Sequence, residues 1–455
     1  MATVLRGGRL VGPGRDLPSG SGGYADVWLR DGRITAIEPS RPGGPHPDAG
    51  GARPDVPAAD GAAPVEVIDA RGKLVLPGLV DSHRHTWQTA LRQVGAGWTL
   101  DAYRHRIFGP VGRAVRPADV YTGTLLGAYT ALDAGITTIV DWAHVQNSPA
   151  HTDAGIAALR DAGVRAVFGH GWSAAGGIAP DQPHPADLRR VRERLLPHDD
   201  ALVTLAMAAR GPDFATLPAT AADFALARDL GVPLTVHLAS APPGTGQRGI
   251  ERLAEAGLLG ADLTVVHATG ASDRAVRMLA EYGVGASVSP QIELTMPGFG
   301  GAVALARLRA AGVRVGLSSD SETSAAGDLF TQLKFAFAVL RAAGASAADP
   351  APADVLSWAT VDGAAVAGLS GRTGELTVGA AADLILVDAT AVNLTPANDP
   401  AASVVLAAHP GNVDTVLVAG RVVKRGGRLV ADLDRVRGAA GRSARRLGAA
   451  LATAP

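Results

Sequence analysis

Apolar runs of strand length alternate with segments of helical periodicity between about residue 76 and about residue 365. Strands that are apolar on both faces are typical of a parallel sheet covered by helices. Eight such strand–helix repeats predict an α/β fold, a (β/α)8 barrel of the TIM type. The eight runs are Leu74–Val80, Ile136–Asp141, Val164–His170, Ala201–Ala206, Val232–His237, Leu263–His267, Val284–Ser289 and Val313–Ser318.

The helices predicted between these strands carry start and stop signals. Pro117 and Pro185 suit a first helical position, where no backbone N–H is needed. A Gly that suits the helix carboxyl end repeatedly precedes the next strand. The predicted helices are Pro117–Ala134, Asp153–Ala162, Pro185–Leu196, Thr220–Leu230, Gly249–Ala256, Ser272–Tyr282 and Gly301–Ala311.

Strand patterns also flank the barrel at both ends of the chain. Asp31-Gly32 marks a hairpin within residues 1–40, and strand patterns return after residue 370. The two groups predict one small β-sandwich domain formed from both termini. The predicted divisions are residues 1–75 and 369–435 for this β-domain, with 41–64 as a Pro/Gly/Ala-rich flexible loop, 76–368 for the barrel and 436–455 for a terminal helix.

Composition narrows the classes of function. The chain has 42 Lys and Arg against 43 Asp and Glu, so it carries no electrostatic footprint for nucleic acid or an anionic membrane. It has no Cys, which excludes disulfides, thiolate metal ligands and a Cys nucleophile. Neither a signal-peptide pattern nor an apolar run of about 18 residues is present. We expect a cytoplasmic protein that acts on a small molecule, without nucleic-acid or membrane partners.

Metal-binding side chains recur where the predicted strands end. His83 and His85 follow the first barrel strand, and their spacing places both on one side of an extended segment. His237, His267 and Asp320 follow the fifth, sixth and eighth strands. Barrel sites are built at the carboxyl ends of the strands, so these side chains are predicted to converge. Imidazole and carboxylate ligands suit Zn²⁺ or Fe²⁺ better than Mg²⁺ or Ca²⁺.

These motifs together resemble the amidohydrolase superfamily, in particular the branch of cytosine, guanine and adenosylhomocysteine deaminases and triazine hydrolases. The resemblance covers essentially the whole chain. It is carried by Val75-Leu-Pro-Gly-Leu-Val-Asp-Ser-His-Arg-His85, Gly135-Ile-Thr-Thr-Ile-Val-Asp141, His237, His267, Ser319-Asp320, Gly379-Ala-Ala-Ala-Asp-Leu-Ile-Leu-Val-Asp388 and Asn412-Val-Asp-Thr-Val-Leu-Val-Ala-Gly-Arg421.

The resemblance implies a mechanism and a set of roles. His83, His85, His237 and Asp320 would bind one divalent ion, Zn²⁺ in the first place and Fe²⁺ as the alternative. Asp320 would act as general base toward the ion-activated water, and His267 would orient the water or polarise the electrophile. Two-metal members of the family usually bridge their ions with a carboxylated Lys from the third or fourth strand. No Lys lies between residues 141 and 237, where those strands are predicted, so a single ion is expected. The family often dimerises, so a homodimer or higher homo-oligomer is an option.

The chain departs from the deaminase pattern at one position. Deaminases of this branch carry a Glu three residues after the fifth-strand His, and here that residue is Ser240. A hydroxyl cannot act as an acid near neutral pH. Glu293 is a candidate replacement acid and catalytic residue. The other candidate substrate-facing residues are Trp87, Gln88, His144, His170, Trp172, Ser240 and Glu322, beneath a long connection at residues 93–116 that is predicted to act as a lid.

Several chemistries remain open from the sequence. The leading hypothesis is hydrolysis of a C–N bond, or a related C–X bond, in a small cyclic or heteroaromatic substrate. It covers both deamination and hydrolysis of an amide, imide or ring bond. The alternatives are a lyase, decarboxylase or isomerase that uses the ion as a Lewis acid, and a metal-binding protein without turnover.

Overall fold

The computed structural model describes residues 2–17, 23–40, 65–242, 245–300, 304–344 and 349–452. The predicted loop at residues 41–64 lies outside these ranges. Among the described residues the strands are β1 (Ala2–Leu10), β2 (Tyr24–Arg30), β3 (Arg33–Pro39), β4 (Val65–Asp69), β5 (Lys73–Pro77), β6 (Leu79–Arg84), β7 (Ile136–Ala143), β8 (Arg165–His170), β9 (Val203–Ala209), β10 (Leu234–Leu238), β11 (Leu263–His267), β12 (Gly285–Val288), β13 (Val315–Leu317), β14 (Leu384–Asp388), β15 (Val413–Val418), β16 (Arg421–Arg425) and β17 (Arg428–Leu429).

The α-helices lie mainly between the barrel strands and after them. They are α1 (Leu100–Arg106), α2 (Gly112–Ala114), α3 (Pro117–Asp133), α4 (Pro149–Ala162), α5 (Asp187–Arg190), α6 (Leu217–Asp229), α7 (Gly249–Glu255), α8 (Asp273–Glu281), α9 (Pro290–Thr295), α10 (Ala304–Ala310), α11 (Leu329–Ala342), α12 (Pro352–Trp358), α13 (Val361–Val366), α14 (Pro400–Ala402) and α15 (Leu433–Ala452). Short 3-10 segments lie at Thr86–Leu91 and Pro410–Asn412, and π-helical segments at Ile107–Val111, Val191–Leu195 and Ser403–Ala407.

The eight strands from β6 to β13 form one parallel sheet in sequence order. The sheet closes where β6 meets the segment after β13: His85 N–H donates to the Asp320 carbonyl at 2.9 Å and Asp320 N–H to the His83 carbonyl at 3.1 Å. Deeper in the seam, the Ser82 hydroxyl donates to the Leu317 carbonyl at 2.9 Å. The predicted (β/α)8 barrel is confirmed, with its closing hydrogen bonds at the carboxyl end of the strands.

The first predicted barrel strand, Leu74–Val80, is in fact two strands in two sheets. Lys73–Pro77 pairs with β14 and β1 in the β-domain, and Leu79–Arg84 is the first strand of the barrel. Gly78 joins them where a Cβ would lie 2.0 Å from the Thr137 hydroxyl oxygen. Both strands are buried apolar segments, so hydrophobicity alone did not reveal the division.

The remaining nine strands form one mixed sheet from both ends of the chain, in the order β17-β16-β15-β14-β5-β1-β2-β3, with β4 beside β1. It folds over a core of its own, because side chains from distant strands such as Leu5, Val27, Leu384 and Leu417 share one buried cluster. The prediction of a terminal β-domain is therefore confirmed. The layers of this sandwich-like domain belong to one continuous hydrogen-bonded sheet, and its predicted residue boundaries stay predictions.

The terminal helix α15 packs on the barrel rather than on the β-domain. Leu447 lies in a buried cluster with Trp87, Val111 and Val115, beside the connection that follows the first barrel strand. The Ser443 hydroxyl donates to Asp119 at 2.8 Å, which ties α15 to α3. In the described ranges, no helix combines the length and the apolar character needed to cross a membrane.

Candidate metal and active site

Five side chains of types that bind metals meet at the carboxyl end of the barrel strands. They are those of His83, His85, His237, His267 and Asp320. Asp320 Oδ1 lies 3.6 Å from His83 Nε2 and 3.3 Å from His85 Nε2, and Asp320 Oδ2 lies 3.7 Å from His267 Nε2. The ligand nitrogens of His83, His85 and His237 lie within 4.8 Å of one another. Atoms about 2 Å from a shared ion are separated by about 3–4 Å, so these separations fit one cation.

The imidazoles are arranged as neutral ligands. His85 Nδ1 lies 2.9 Å from the Trp142 carbonyl, which can only accept, so Nδ1 carries the proton and Nε2 faces Asp320. Burial, together with the neighbouring His83, lowers the pKa of His85 to about 3. Burial likewise holds the pKa of His237 well below its usual range. A proton therefore does not compete for these nitrogens near neutral pH.

His83 supplies the sharpest test of whether the residues fit a metal. Its ring is fully buried, and neither Nδ1 nor Nε2 has a hydrogen-bond partner in the described part of the chain. Leaving a buried polar atom unpaired costs about 1–3 kcal/mol. A cation held jointly with Asp320 would satisfy Nε2, so the donor set fits a divalent metal.

Two of the converging residues occupy backbone conformations that L-amino acids rarely adopt. His267 has a φ of 73° and Asp320 a φ of 59°. Such positive values cost about 1–3 kcal/mol and persist where surrounding structure enforces them. Here the strand rim turns abruptly so that the two side chains point toward the barrel axis, where Nε2 of His267 and the Asp320 carboxylate face each other.

A buried ionic network supports the metal ligands from behind. Arg84, between the two first-strand histidines, donates to Asp81 at 3.2 Å and to Glu322 at 2.5 Å. Asp81 in turn accepts from the Ser319 backbone N–H at 3.0 Å and from its hydroxyl at 2.5 Å. Because Ser319 precedes Asp320, this network fixes the height of the carboxylate ligand relative to the first strand.

Glu293 lies behind His267 and not on the substrate side. Its Oε1 accepts the His267 Nδ1 proton at 2.9 Å and the Ser289 N–H at 2.8 Å. The side chain is buried and does not line the main cavity. A role of Glu293 as the replacement acid stays a prediction. Its contacts favour a different role, in which it orients His267 so that Nε2 faces Asp320.

A cavity of about 330 Å³ opens over the metal ligands and is walled mainly by apolar and aromatic side chains. His85, His237, His267 and Asp320 lie at its base. Trp142, whose ring centroid lies 4.4 Å from that of His237, was not singled out from the sequence, although its place at a strand end beside the site was a usable signal. The remaining wall residues are Leu100, Tyr103, Arg104, Phe108, His144, Trp172, Ser173, Gly176, Ile178, Ala209, Arg210, Phe214, Ser240, Ile292, Met296, Phe299 and Ser321.

His144, Trp172 and Ser240 lie on this wall, as a substrate-facing role requires. The Trp87 indole N–H, which can only donate, lies 3.2 Å from His144 Nδ1. Nδ1 also lies 3.2 Å from the Trp142 carbonyl, which can only accept, so these contacts do not fix the position of the His144 proton. The Ser240 hydroxyl is buried and has no hydrogen-bond partner among the described residues. Their contact with a substrate stays a prediction.

Four other predicted substrate residues do not line the cavity, and contact between them and a substrate stays a prediction. Trp87 lies behind His144. Gln88 exchanges hydrogen bonds with Tyr103 and accepts from Ser321 at 2.6 Å. Glu322 is held by Arg84 and Arg92. His170 bonds His184, with Nδ1 and Nε2 of the two rings 3.1 Å apart. All four side chains are buried, and their polar atoms face other protein groups. Their closeness to the metal-binding residues in the sequence did not indicate this orientation.

Comparison with known proteins places this geometry in a family context. Residues 74–423 match the model of the amidohydrolase family. The chain is 31% identical over 422 residues to a 5-methylthioadenosine/S-adenosylhomocysteine deaminase of Symbiobacterium thermophilum, covering 88% of this chain and 90% of the relative. It is 27% identical to a 5'-deoxyadenosine deaminase of Methanothermobacter thermautotrophicus, covering 80% and 84% of the two chains.

Solved structures show the same fold. An adenosine deaminase of Xanthomonas campestris with bound zinc superposes with a TM-score of 0.81 at 23% identity, covering 98% of each chain. An atrazine chlorohydrolase of Arthrobacter aurescens complexed with zinc superposes with a TM-score of 0.76 at 21% identity, covering 97% of this chain and all of the other. At these identities the likeness concerns the fold.

Proposed function

This chain belongs to the amidohydrolase family and is an enzyme of the hydrolase type that acts on non-peptide C–N bonds; we propose that its substrate is a small heteroaromatic amine, which it deaminates by hydrolysis. The observation that carries the proposal is the convergence of His83, His85, His237 and Asp320 at the base of a largely apolar cavity. Deaminase relatives of comparable length support deamination over a lyase reaction.

One divalent ion, Zn²⁺ in the first place, fits this site. Held by His83, His85, His237 and Asp320, it would supply Lewis acidity and lower the pKa of water toward about 7. The chain's three lysines support a single ion because none reaches the barrel mouth. Lys73 pairs with Asp414, while Lys334 and Lys424 donate to the backbone carbonyls of Ala408 and Asp133.

Asp320 and His267 are placed to move and hold protons. Asp320 Oδ2 faces His267 Nε2 at 3.7 Å, and the His267 proton is fixed on Nδ1 by Glu293. The attacking water would lie between these two groups, with Asp320 taking its proton and delivering it to the leaving nitrogen. His267, with its free Nε2, would hold the water in line with the carbon under attack.

The absence of a carboxylic acid at Ser240 limits which substrates can react. Among the described residues that line the cavity, Asp320 is the only acid. A strongly basic ring nitrogen could not be protonated by a wall carboxyl, so the substrate ring must be electron-poor or accept a hydrogen bond from the Ser240 hydroxyl, which has no partner among the described residues. Hydrolysis of a cyclic amide or imide is the second candidate, because a carbonyl substrate needs no ring protonation.

The test combines metal analysis with product release. Purified protein should contain about one equivalent of metal per chain. It should release ammonia from at least one member of a panel of aminopurines, aminopyrimidines, aminopterins and aminotriazines. Chelation should abolish the release, and Zn²⁺ should restore it. Asp320→Asn should lower kcat by at least about 1000-fold, whereas Asp434→Asn, a control that is 91% exposed and outside the cavity lining, should not change it.

Two outcomes would refute the proposal. Full activity after chelation would remove the metal from the reaction, and an active Asp320→Asn variant would remove the proposed base. Ring opening without ammonia would select the cyclic amide reaction instead. Cytoplasmic location and a homo-oligomeric state stay predictions.

A further inference from the structure

Arg104 is a weakly paired cation on the wall of the cavity. It lies on α1, and its side chain is 31% exposed. Its guanidinium makes no hydrogen bond to any described residue of the protein. The closest carboxylate is that of Asp101, 3.9 Å away and 95% exposed, so this pair is weak and solvent-screened. Five N–H donors therefore remain available on a half-buried side chain.

No other described neighbour forms an ion pair or a hydrogen bond with Arg104, although the Asp213 carboxylate acts on it from a longer distance. Its guanidinium carbon lies 5.2 Å from the centre of the Phe214 ring, another wall residue. Asp213, next to Phe214, directs Oδ2 to the Ala239 backbone N–H at 2.8 Å. Burial lowers the pKa of Arg104, and the charges of Asp101, Tyr103 and Asp213 offset that effect only in part.

A second guanidinium reinforces the positive potential of the same cavity. Arg210 lies 3.8 Å over the Trp172 ring and donates to the Ala179 and Gln182 carbonyls, which neutralise none of its charge. Its Nε is buried without a partner. Asp320 is the only acid among the described wall residues, and the metal would engage it. The other carboxylates that act on the two arginines, those of Asp101, Asp213, Asp181 and Asp223, lie outside the wall. At Ser240 the chain lacks the carboxylate that would otherwise add negative charge.

We propose that the substrate is an anion: an aromatic or apolar body whose carboxylate, or comparable oxyanion, is bound by Arg104 while the reacting carbon faces Asp320 and the histidines. This rests on the proposed function for the position of the reacting carbon. A planar guanidinium with paired donors matches a carboxylate bidentately, and the apolar walls exclude the water that would screen the pair. Arg104 is thus a specificity-determining residue.

Binding of a matched probe pair tests the proposal without requiring turnover. 2-Naphthoate and 2-naphthamide share one shape and differ in charge, and their dissociation constants for the metal-loaded protein can be measured by calorimetry. We expect the naphthoate to bind at least about 10-fold more tightly. Arg104→Gln should reduce that ratio to within about 2-fold, and Arg106→Gln should preserve it. Arg106 is a suitable control because it lies on the same helix, over Trp98, outside the cavity lining.

Three results would overturn the proposal. The first is equal binding of the two probes by the unaltered protein. The second is an unchanged ratio of the two dissociation constants in Arg104→Gln. If the preference for naphthoate then disappears on chelation, the carboxylate is bound by the metal and not by Arg104. The third is an equal loss in Arg106→Gln, which would indicate a diffuse charge effect.

A variant that gains a new preference cannot be explained by misfolding, which would only remove binding. Arg104→Glu should invert the preference, so that 2-naphthylmethylammonium binds more tightly than 2-naphthoate, and failure to invert it would count against direct contact. Because these experiments measure binding and not turnover, their outcome does not depend on whether the protein deaminates its substrate. Absence of ammonia release with an intact probe ratio would refute deamination alone, whereas a lost ratio with intact deamination would refute the anion site alone.

Discussion

Replacing Arg84 by Met tests whether the network behind the metal ligands holds the barrel seam closed. Arg84 is 1% exposed and pairs with two buried carboxylates, those of Asp81 and Glu322. Methionine fills similar space but removes the charge and every donor. The structure predicts an unequal effect on the two partners. Glu322 keeps Arg92 at 2.6 Å, whereas Asp81 keeps no cation, only hydrogen bonds from Ser319 and a long one of 3.4 Å from the His83 backbone N–H.

The expected magnitude follows from the carboxylate left without a cation. Removing one partner of a buried ion pair costs about 3–5 kcal/mol. Because Ser319 still donates twice to Asp81, we expect the lower end, about 3 kcal/mol for Arg84→Met. Arg92→Met is the matched control. It removes a second cation from Glu322, but its side chain is 38% exposed and its pairing is screened by solvent, so the expected cost is at most about 1 kcal/mol.

The free energy of unfolding of both variants can be measured by urea titration, monitored by far-ultraviolet circular dichroism, at constant metal loading. Burial raises the pKa of Asp81, and the Arg84 charge opposes that rise. Without Arg84 the folded-state pKa rises further, so the folded variant takes up a proton more readily than the unfolded chain as the pH falls. The deficit of Arg84→Met should therefore shrink between about pH 7.5 and about pH 5.5. A deficit below about 1 kcal/mol, or equal effects of the two variants, would refute this reasoning.

Two further substitutions test residues around the metal ligands. Glu293→Gln keeps an acceptor for His267 but removes its charge, so kcat/KM should fall about 10- to 100-fold with the fold intact by circular dichroism; an unchanged kcat/KM would show that Glu293 only caps the Ser289 N–H. Ser240→Glu introduces a carboxylate into the cavity, so 2-naphthoate should bind at least about 10-fold more weakly, measured by calorimetry. Unchanged naphthoate affinity would mean that position 240 does not face the ligand.

The barrel was predictable because its strands are buried on both faces and its helices carry clear end signals. The eight-strand parallel sheet and the β-domain from both termini follow from those patterns. The division at Gly78 did not, because strands on either side of it are equally apolar and differ only in their partners. Sheet membership is decided by long-range pairing, which local periodicity does not encode.

The convergence of the candidate metal ligands was predictable for the same reason as the barrel. Each follows a strand, and parallel strands in a closed barrel bring their carboxyl ends together. The cavity wall was harder, because neighbours of the ligands in sequence point away from the site as often as toward it. Glu322 lies two residues from Asp320 and yet pairs with Arg84, while Arg104, on a helix 19 positions beyond His85, reaches the cavity.

Closure of the barrel also assembles the candidate metal site in this protein. The hydrogen bonds that join the first and last barrel strands at the rim run between His83, His85 and Asp320, which are themselves the converging ligands. A strand-register error at that seam would move Asp320 by about 3 Å relative to the two imidazoles, more than a metal–ligand bond tolerates. The buried Arg84 pairs that hold the seam therefore also hold the ligand geometry, and metal occupancy should fall with stability in Arg84→Met but not in Arg92→Met.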